Sequence, residues 1–328
     1  MTGLSDSFSR PINYLRISVT DRCNLRCRYC LPEKGISLLP RNQVLSFEEF
    51  ATIAEVAAEL GITKIRLTGG EPLVREDLPK LVEMLSKIEA INDLSLTTNG
   101  VLLSRCANEL KQAGLTRVNI SLDSLKSDKF HYITRRSKFR QVLNGIEAAH
   151  KANLHPVKIN MVVLRGINDD EITDFANLTL TDGWHVRFIE LMPFNRELPF
   201  SAQFIPAPEI RGRLLNHFGD LEPSPPPVGN GPAHYFRIPG AEGTIGFITP
   251  ISQHFCVRCN RLRLTASGKL RTCLLNDDEI DLQPSLRDGA SLEQIKQLIL
   301  LAIQNKPYCH QLAQGVAATK ALMAQLGG

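Results

Sequence analysis

Leu15-Arg16-Ile17-Ser18-Val19-Thr20-Asp21-Arg22-Cys23-Asn24-Leu25-Arg26-Cys27-Arg28-Tyr29-Cys30 sets how the rest of the chain is read. Its first half alternates apolar and polar residues, the pattern of a strand with one face buried. Its second half places Cys23, Cys27 and Cys30 at C-x3-C-x2-C on a loop directly after that strand. Three thiolates on one short loop suit three irons of a 4Fe–4S cluster, which leaves the fourth iron open to a small molecule. A zinc knot wants four ligands, and no fourth Cys or His lies within the loop.

Outward from this loop, a strand-then-helix rhythm repeats. Strands are expected over 14–20, 64–68, 93–97, 117–122, 158–163 and 186–192, each followed by a helical apolar stripe. The first helix opens with a capping box, Ser46 with Glu49, carries Phe47, Phe50, Ala51, Ala54, Ala57 and Leu60 on one face, and stops at Gly61. Six β–α units in strict alternation argue a parallel sheet with right-handed crossovers. The expected fold class is α/β: an incomplete (βα)6 TIM-type barrel over residues 1–220 with a smaller C-terminal α+β domain over 221–328. Ser224-Pro225-Pro226-Pro227, with Gly229 and Gly231, reads as the linker. Short strands should follow near 235–238 and 244–248. A hairpin should pair 261–265 with 269–272 across Ser267-Gly268, and helices should cover about 292–303 and 316–326. Active-site groups should gather at the C-terminal ends of the strands, where the cysteine loop and Gly69-Gly70 both lie.

A second cysteine set follows the linker. Cys256 and Cys259 form a C-x2-C pair, and Cys273 comes thirteen residues later. Spacing alone admits a second iron–sulfur cluster, or zinc with Cys309 or His254 as a fourth ligand. Cys106 lies on the apolar stripe of its helix and reads as core, and Cys309 reads as a bystander.

The chain has 328 residues, 43% of them hydrophobic and 22% charged, so a large core is within reach. A net charge of +4 is too mild to imply nucleic acid. No apolar run is long enough to span a bilayer, and Met1 to Arg10 holds no signal core. Eight cysteines then read as metal ligands in a reducing, cytoplasmic setting.

Side chains alternate across a strand, so each of the first five strands has one polar face. Arg16, Arg66 and Lys158 lie on those faces, and Arg261 and Arg263 alternate on the hairpin. Apolar faces should meet the helices, which turns the polar ones into the barrel lumen. Cations there are either paired with acids such as Glu190 or kept for a polyanionic ligand such as a triphosphate. No P-loop is present, so side chains rather than a glycine cradle would hold the phosphates.

The first cysteine motif, with aromatic Tyr29 before its last cysteine, resembles the radical S-adenosylmethionine signature. Phe255-Cys256-Val257-Arg258-Cys259-Asn260-Arg261-Leu262-Arg263-Leu264-Thr265, with Gly268, Leu270 and Cys273-Leu274, is similar to the C-terminal signature of the GTP 3′,8-cyclase family. Gly69-Gly70-Glu71-Pro72-Leu73-Val74-Arg75, Thr97-Thr98-Asn99-Gly100, Ser121-Leu122-Asp123-Ser124 and Gly327-Gly328 match the same family. That resemblance implies conversion of GTP to 3′,8-cyclo-7,8-dihydro-GTP, the first step of molybdopterin synthesis. It implies two 4Fe–4S clusters, one held by Cys23, Cys27 and Cys30 and the other by Cys256, Cys259 and Cys273. S-adenosylmethionine would be bound at Tyr29, Gly70, Ser121 and Met192, and one electron would split it to a 5′-deoxyadenosyl radical that takes hydrogen from ribose C3′. GTP would be bound by Arg16, Arg66, Thr97, Lys158, Arg261, Leu262 and Arg263, with Arg16, Arg261 and Arg263 also catalytic. Implied partners are an external electron donor and a downstream pterin-forming enzyme. A homodimer is left open, and neither nucleic acid nor a membrane is expected.

Overall fold

In the computed structural model, residues 3–194, 199–310, 312, 319 and 321–327 are described. Their strands are β1 (Tyr14–Ser18), β2 (Lys64–Thr68), β3 (Asp93–Thr98), β4 (Arg117–Ser121), β5 (Lys158–Val163), β6 (His185–Glu190), β7 (Glu222–Pro223), β8 (His234–Arg237), β9 (Thr244–Ile248), β10 (Arg261–Leu264), β11 (Lys269–Arg271) and β12 (Glu279–Asp281). Local chemistry sets the helices between them. The Ser46 hydroxyl accepts from the Glu49 N–H at 3.1 Å and the Glu49 carboxylate accepts from the Ser46 N–H at 2.6 Å, so the expected capping box opens helix Phe47–Glu59. Gly61, at φ +109°, lets the chain leave that helix.

One twelve-stranded sheet carries the chain, in the order β12-β11-β10-β1-β2-β3-β4-β5-β6-β9-β8-β7. The six strands of the β–α repeats are parallel neighbours, as expected. The C-terminal segment does more than cap them: β10 adds in parallel to β1 and β9 adds in parallel to β6. Both open edges of the incomplete barrel are thus extended by strands from residues 244–264, and antiparallel β11–β12 and β8–β7 finish the two flanks.

Register makes the lumen. Arg263, Arg16, Arg66, Ser95 and Arg117 form one row across β10, β1, β2, β3 and β4. Thr97, Asn119, Lys158 and His185 form a second, and Ser121, Asn160, Arg187 and Gly246 a third. Neighbours in register share a face, so all these side chains point inward. The opposite faces put Ile17, Leu67, Leu96, Ile120 and Phe188 into a continuous core with Phe50, Leu81, Leu110, Val142 and Phe175 of the surrounding helices. Of the helix expected over 316–326, Val316 lies outside the described residues, and Met323–Leu326 forms a single turn. No helix among the described residues is long and apolar enough to cross a membrane.

Candidate active site

One cavity of about 300 Å³ runs through the lumen, lined by Cys23, Cys27, Cys30, Cys256, Cys259 and Cys273 together. The first trio follows the C-terminal end of β1. The second does not sit at that end. Cys256 and Cys259 precede β10, and Cys273 follows antiparallel β11, so both flank the N-terminal end of the sheet. Hairpin geometry is the reason: its open end carries the residues before one strand and after the other. A strand of four or five residues at about 3.3 Å each separates the trios by roughly 15 Å.

Each trio is surrounded by groups that suit iron-bound thiolates. At the first, the Leu25 N–H points at Cys23 Sγ at 3.4 Å and Asn99 Nδ2 lies 3.9 Å from the same sulfur. Burial pushes the Cys23 thiol up to about 11 and Cys30 up to about 12, so binding a cluster here releases protons. At the second, burial raises Cys259 but Arg261 and Lys306 outweigh it and bring the thiol down to about 6. Arg261 Nη2 is 3.9 Å and Lys306 Nζ 3.5 Å from that sulfur, and the Leu275 N–H meets Cys273 Sγ at 3.4 Å. Among the described residues no three Cys, His, Asp or Glu side chains are gathered as ligands of a single ion. Each thiolate of a four-iron cluster holds a different iron, so convergence on one point is not required there.

The loops above the first trio interlock with it. Gly70 N–H donates to Thr20 O at 2.8 Å, and a Cβ on Gly70 would lie 2.5 Å from Arg22 O. The glycine is therefore required by the approach of its loop to the cysteine loop. Glu71, fully buried, accepts from Thr98 Oγ1 at 2.7 Å, Asn99 N at 2.6 Å and Leu73 N at 3.0 Å, while burial pushes it up to about 7. Tyr29 donates to Asp123 Oδ2 at 2.7 Å, and the other carboxylate oxygen accepts from Val162 N at 2.9 Å. Burial lifts that aspartate to about 6. Ser121 and Met192 line the same cavity.

Between the trios the lumen is cationic. Arg66, Arg187, Arg261 and Arg263 are all less than a tenth exposed and, with Arg16, line the cavity. Glu190 does not neutralise them. Its carboxylate accepts from Ala207 N at 2.8 Å, from Ile251 N and Ser252 N at 3.0 Å each, and from the Ser252 hydroxyl. The expected alternative of ion pairs with Glu190 is thereby corrected: that acid is occupied by two backbone turns. Asp93 does pair, with Arg117 at 2.7 Å and Lys64 at 3.7 Å. Among the described residues, Arg66 Nε, Arg187 Nε, Asn119 Oδ1 and Asn160 Oδ1 are buried with no hydrogen-bond partner. Burial, then repulsion from Arg263, holds Arg16 well below the usual guanidinium range, and burial brings Arg66 and Arg263 down to about 10. An anion placed among these cations would relieve both their burial cost and their mutual repulsion.

Most of the residues singled out from sequence thus meet. Arg16, Tyr29, Arg66, Gly70, Thr97, Ser121, Met192, Arg261, Arg263 and all six cysteines line the one cavity. Lys158 lies deeper, lining a smaller pocket at the N-terminal end of the strands, where its Nζ donates to Val228 O at 2.6 Å. Leu262 is placed differently. It alternates with Arg261 and Arg263, so its side chain points into the core beside Leu15 and leaves only backbone near the lumen. Gly327 is described and touches Arg263, while Gly328 lies outside the described residues. Arg117 and Arg187 were missed, although alternation on β4 and β6 points to both. Lys306 and Arg10 were missed with no local signal, since they act across the fold.

A family model described as the radical SAM superfamily matches residues 17–179, and one described as Molybdenum Cofactor Synthesis C matches residues 184–312. A protein of Desulforamulus reducens named GTP 3′,8-cyclase is 52% identical over 324 residues, covering 98% of this chain and 99% of its own. One of that name from Moorella thermoacetica is 52% identical over 325 residues, covering 99% and 100%. Among solved structures, Streptococcus suis SuiB bound to S-adenosylmethionine aligns at a TM-score of 0.59 and 13% identity, over 87% of this chain and 68% of that one, a likeness of fold.

Proposed function

The chain belongs to the GTP 3′,8-cyclase family of radical S-adenosylmethionine enzymes, and on that premise we propose how its residues divide the work. The enzyme converts GTP to 3′,8-cyclo-7,8-dihydro-GTP with two 4Fe–4S clusters and S-adenosylmethionine, at the start of molybdenum cofactor synthesis. The observation that carries the assignment of residues is the lumen itself: two cysteine trios at opposite ends of one cavity, with buried cations between them.

In this reading Cys23, Cys27 and Cys30 hold the first cluster and Cys256, Cys259 and Cys273 the second. When bound, the first cluster and S-adenosylmethionine supply the radical chemistry. Residues 1–220 bind that cofactor, and residues 221–328 bring the second cluster and the Arg261 to Arg263 strand against it. Tyr29, fixed by Asp123, shapes the cofactor pocket with Gly70, Ser121 and Met192. Arg16, Arg66, Lys158, Arg261 and Arg263 take the triphosphate and ribose, with Thr97 beside them and Leu262 contributing backbone alone. Arg187 joins them, because it shares their face and its Nε has no partner among the described residues. Their role is position and charge: the anion relieves the mutual repulsion of the cations, and the narrow lumen holds ribose and base in one orientation.

Reductive cleavage requires an external one-electron donor, and the cyclised nucleotide requires a pterin-forming enzyme to consume it. Eight free cysteines, six of them in cluster-binding trios, favour a reducing, cytoplasmic compartment. The test is anaerobic: dithionite-reduced protein should consume GTP and S-adenosylmethionine together and yield the cyclised nucleotide. Cleavage of S-adenosylmethionine with GTP left intact would overturn the substrate assignment.

A further inference from the structure

Cys309 was expected to stand apart from the second trio, and the fold brings it there. It lines the same cavity as Cys256, Cys259 and Cys273. The segment that carries it is tied to Cys259 directly, to Cys256 through Arg10, and to Thr272, the residue before Cys273. One nitrogen of Arg10, Nη1, donates to Cys256 O at 2.8 Å and to Tyr308 O at 2.7 Å, and Nη2 donates to Pro307 O at 2.8 Å. Asp6 holds that guanidinium in place at 2.6 Å. Lys306 Nζ reaches Cys259 Sγ at 3.5 Å, Arg261 O at 3.0 Å and the carbonyl of Thr272, the residue before Cys273. The backbone N–H of His310 is directed at the Cys256 sulfur. Cys309 is thus flanked on both sides by residues that contact the trio.

We propose that Cys309 is a fourth, displaceable thiolate for the second cluster, bound when GTP is absent and released when GTP fills the cavity they share. Resting on the two-cluster reading above, the inference adds a ligand that the three-cysteine count lacks. A cluster held by three thiolates exposes one iron, and Cys309, half-buried and lining the same cavity, is a protein group of matching softness. No electrons move in the exchange. The thiol gives its proton to solvent when its sulfur binds iron and takes one back when the substrate displaces it. The open position is thereby protected until the substrate fills it.

The experiment uses the anaerobically reconstituted full chain, first assayed for iron. About eight irons per chain confirm the two-cluster reading, and about four refute it independently of Cys309. On eight-iron protein, iodoacetamide labelling of Cys309 is followed by mass spectrometry with and without GTP. Labelling should be lost without GTP and restored with it. In parallel, Cys309→Ser should alter the paramagnetic resonance signal of the reduced second cluster without GTP and leave the GTP-bound signal unchanged. Labelling at equal rates in both states, or identical signals without GTP, overturns the proposal.

Discussion

Arg263 Nη1 donates to the carbonyl oxygen of Gly327 across 3.3 Å, joining the inner face of β10 to a residue 64 positions further along the chain. Gly327 sits at φ +70°, and a Cβ there would lie 2.8 Å from Thr68 Cγ2 and 2.9 Å from Ser18 Cβ. The closing segment therefore reaches the lumen wall between β1 and β2, and it orients one of the lumen cations as it does so.

Gly327→Val tests that role. Left-handed backbone costs an ordinary residue about 1–2 kcal/mol, and the clash with Ser18 and Thr68 adds to it. The expected outcome is loss of cyclised product with iron content and GTP affinity retained. Cyclisation at the parent rate would show that the contact is incidental.

Replacing Cys256, Cys259 and Cys273 together by Ala should halve the iron, from about eight to about four per chain. Slow cleavage of S-adenosylmethionine should survive, because the first trio is untouched. Bound zinc in the parent protein would count against the second cluster.

Glu190 separates structural acids from substrate chemistry. Glu190→Gln turns one carboxylate oxygen into an NH2 that cannot accept from the donors facing it, leaving buried groups unpaired at about 1–3 kcal/mol. The denaturation midpoint should fall while GTP affinity of the folded protein holds. Arg187→Ala should do the reverse, weakening GTP by about 1.5–3 kcal/mol and sparing S-adenosylmethionine. Equal loss of both ligands in calorimetry would make Arg187 a structural residue.

The barrel was legible because its information is local. Alternation on β1 to β5 marks which residues face inward, and the cysteine spacings mark both trios. What escaped is long-range. Nothing local to residues 244–264 says that β9 and β10 add to opposite edges of a sheet begun more than two hundred residues earlier for β10. Lys306 and Arg10 act on backbone carbonyls from remote segments, so no spacing reveals them. Leu262 shows the opposite failure: a motif names a position, but the strand's alternation turns its side chain away from the cavity. Gly70 lies between: the resemblance assigns it to S-adenosylmethionine, and the close approach the fold shows is to Arg22 O.

Lys158 yields the sharpest pH prediction. Burial, then Arg187, Arg117 and Arg66, lower it to about 6, so above that pH the amine of the free protein is mainly neutral. Its bond to Val228 O survives, since a neutral amine still donates. A bound triphosphate favours the ammonium and raises the pKa. Between the free and the bound value, binding therefore takes up a proton, and affinity falls as pH rises, by up to about 1.4 kcal/mol per unit. Above the bound value the dependence should flatten. GTP also titrates near this range, so the comparison is with Lys158→Met in buffers of different ionisation enthalpy. The parent should show proton uptake that the variant lacks at the same pH. Equal uptake in both would place the proton on the nucleotide and remove Lys158 from the triphosphate site.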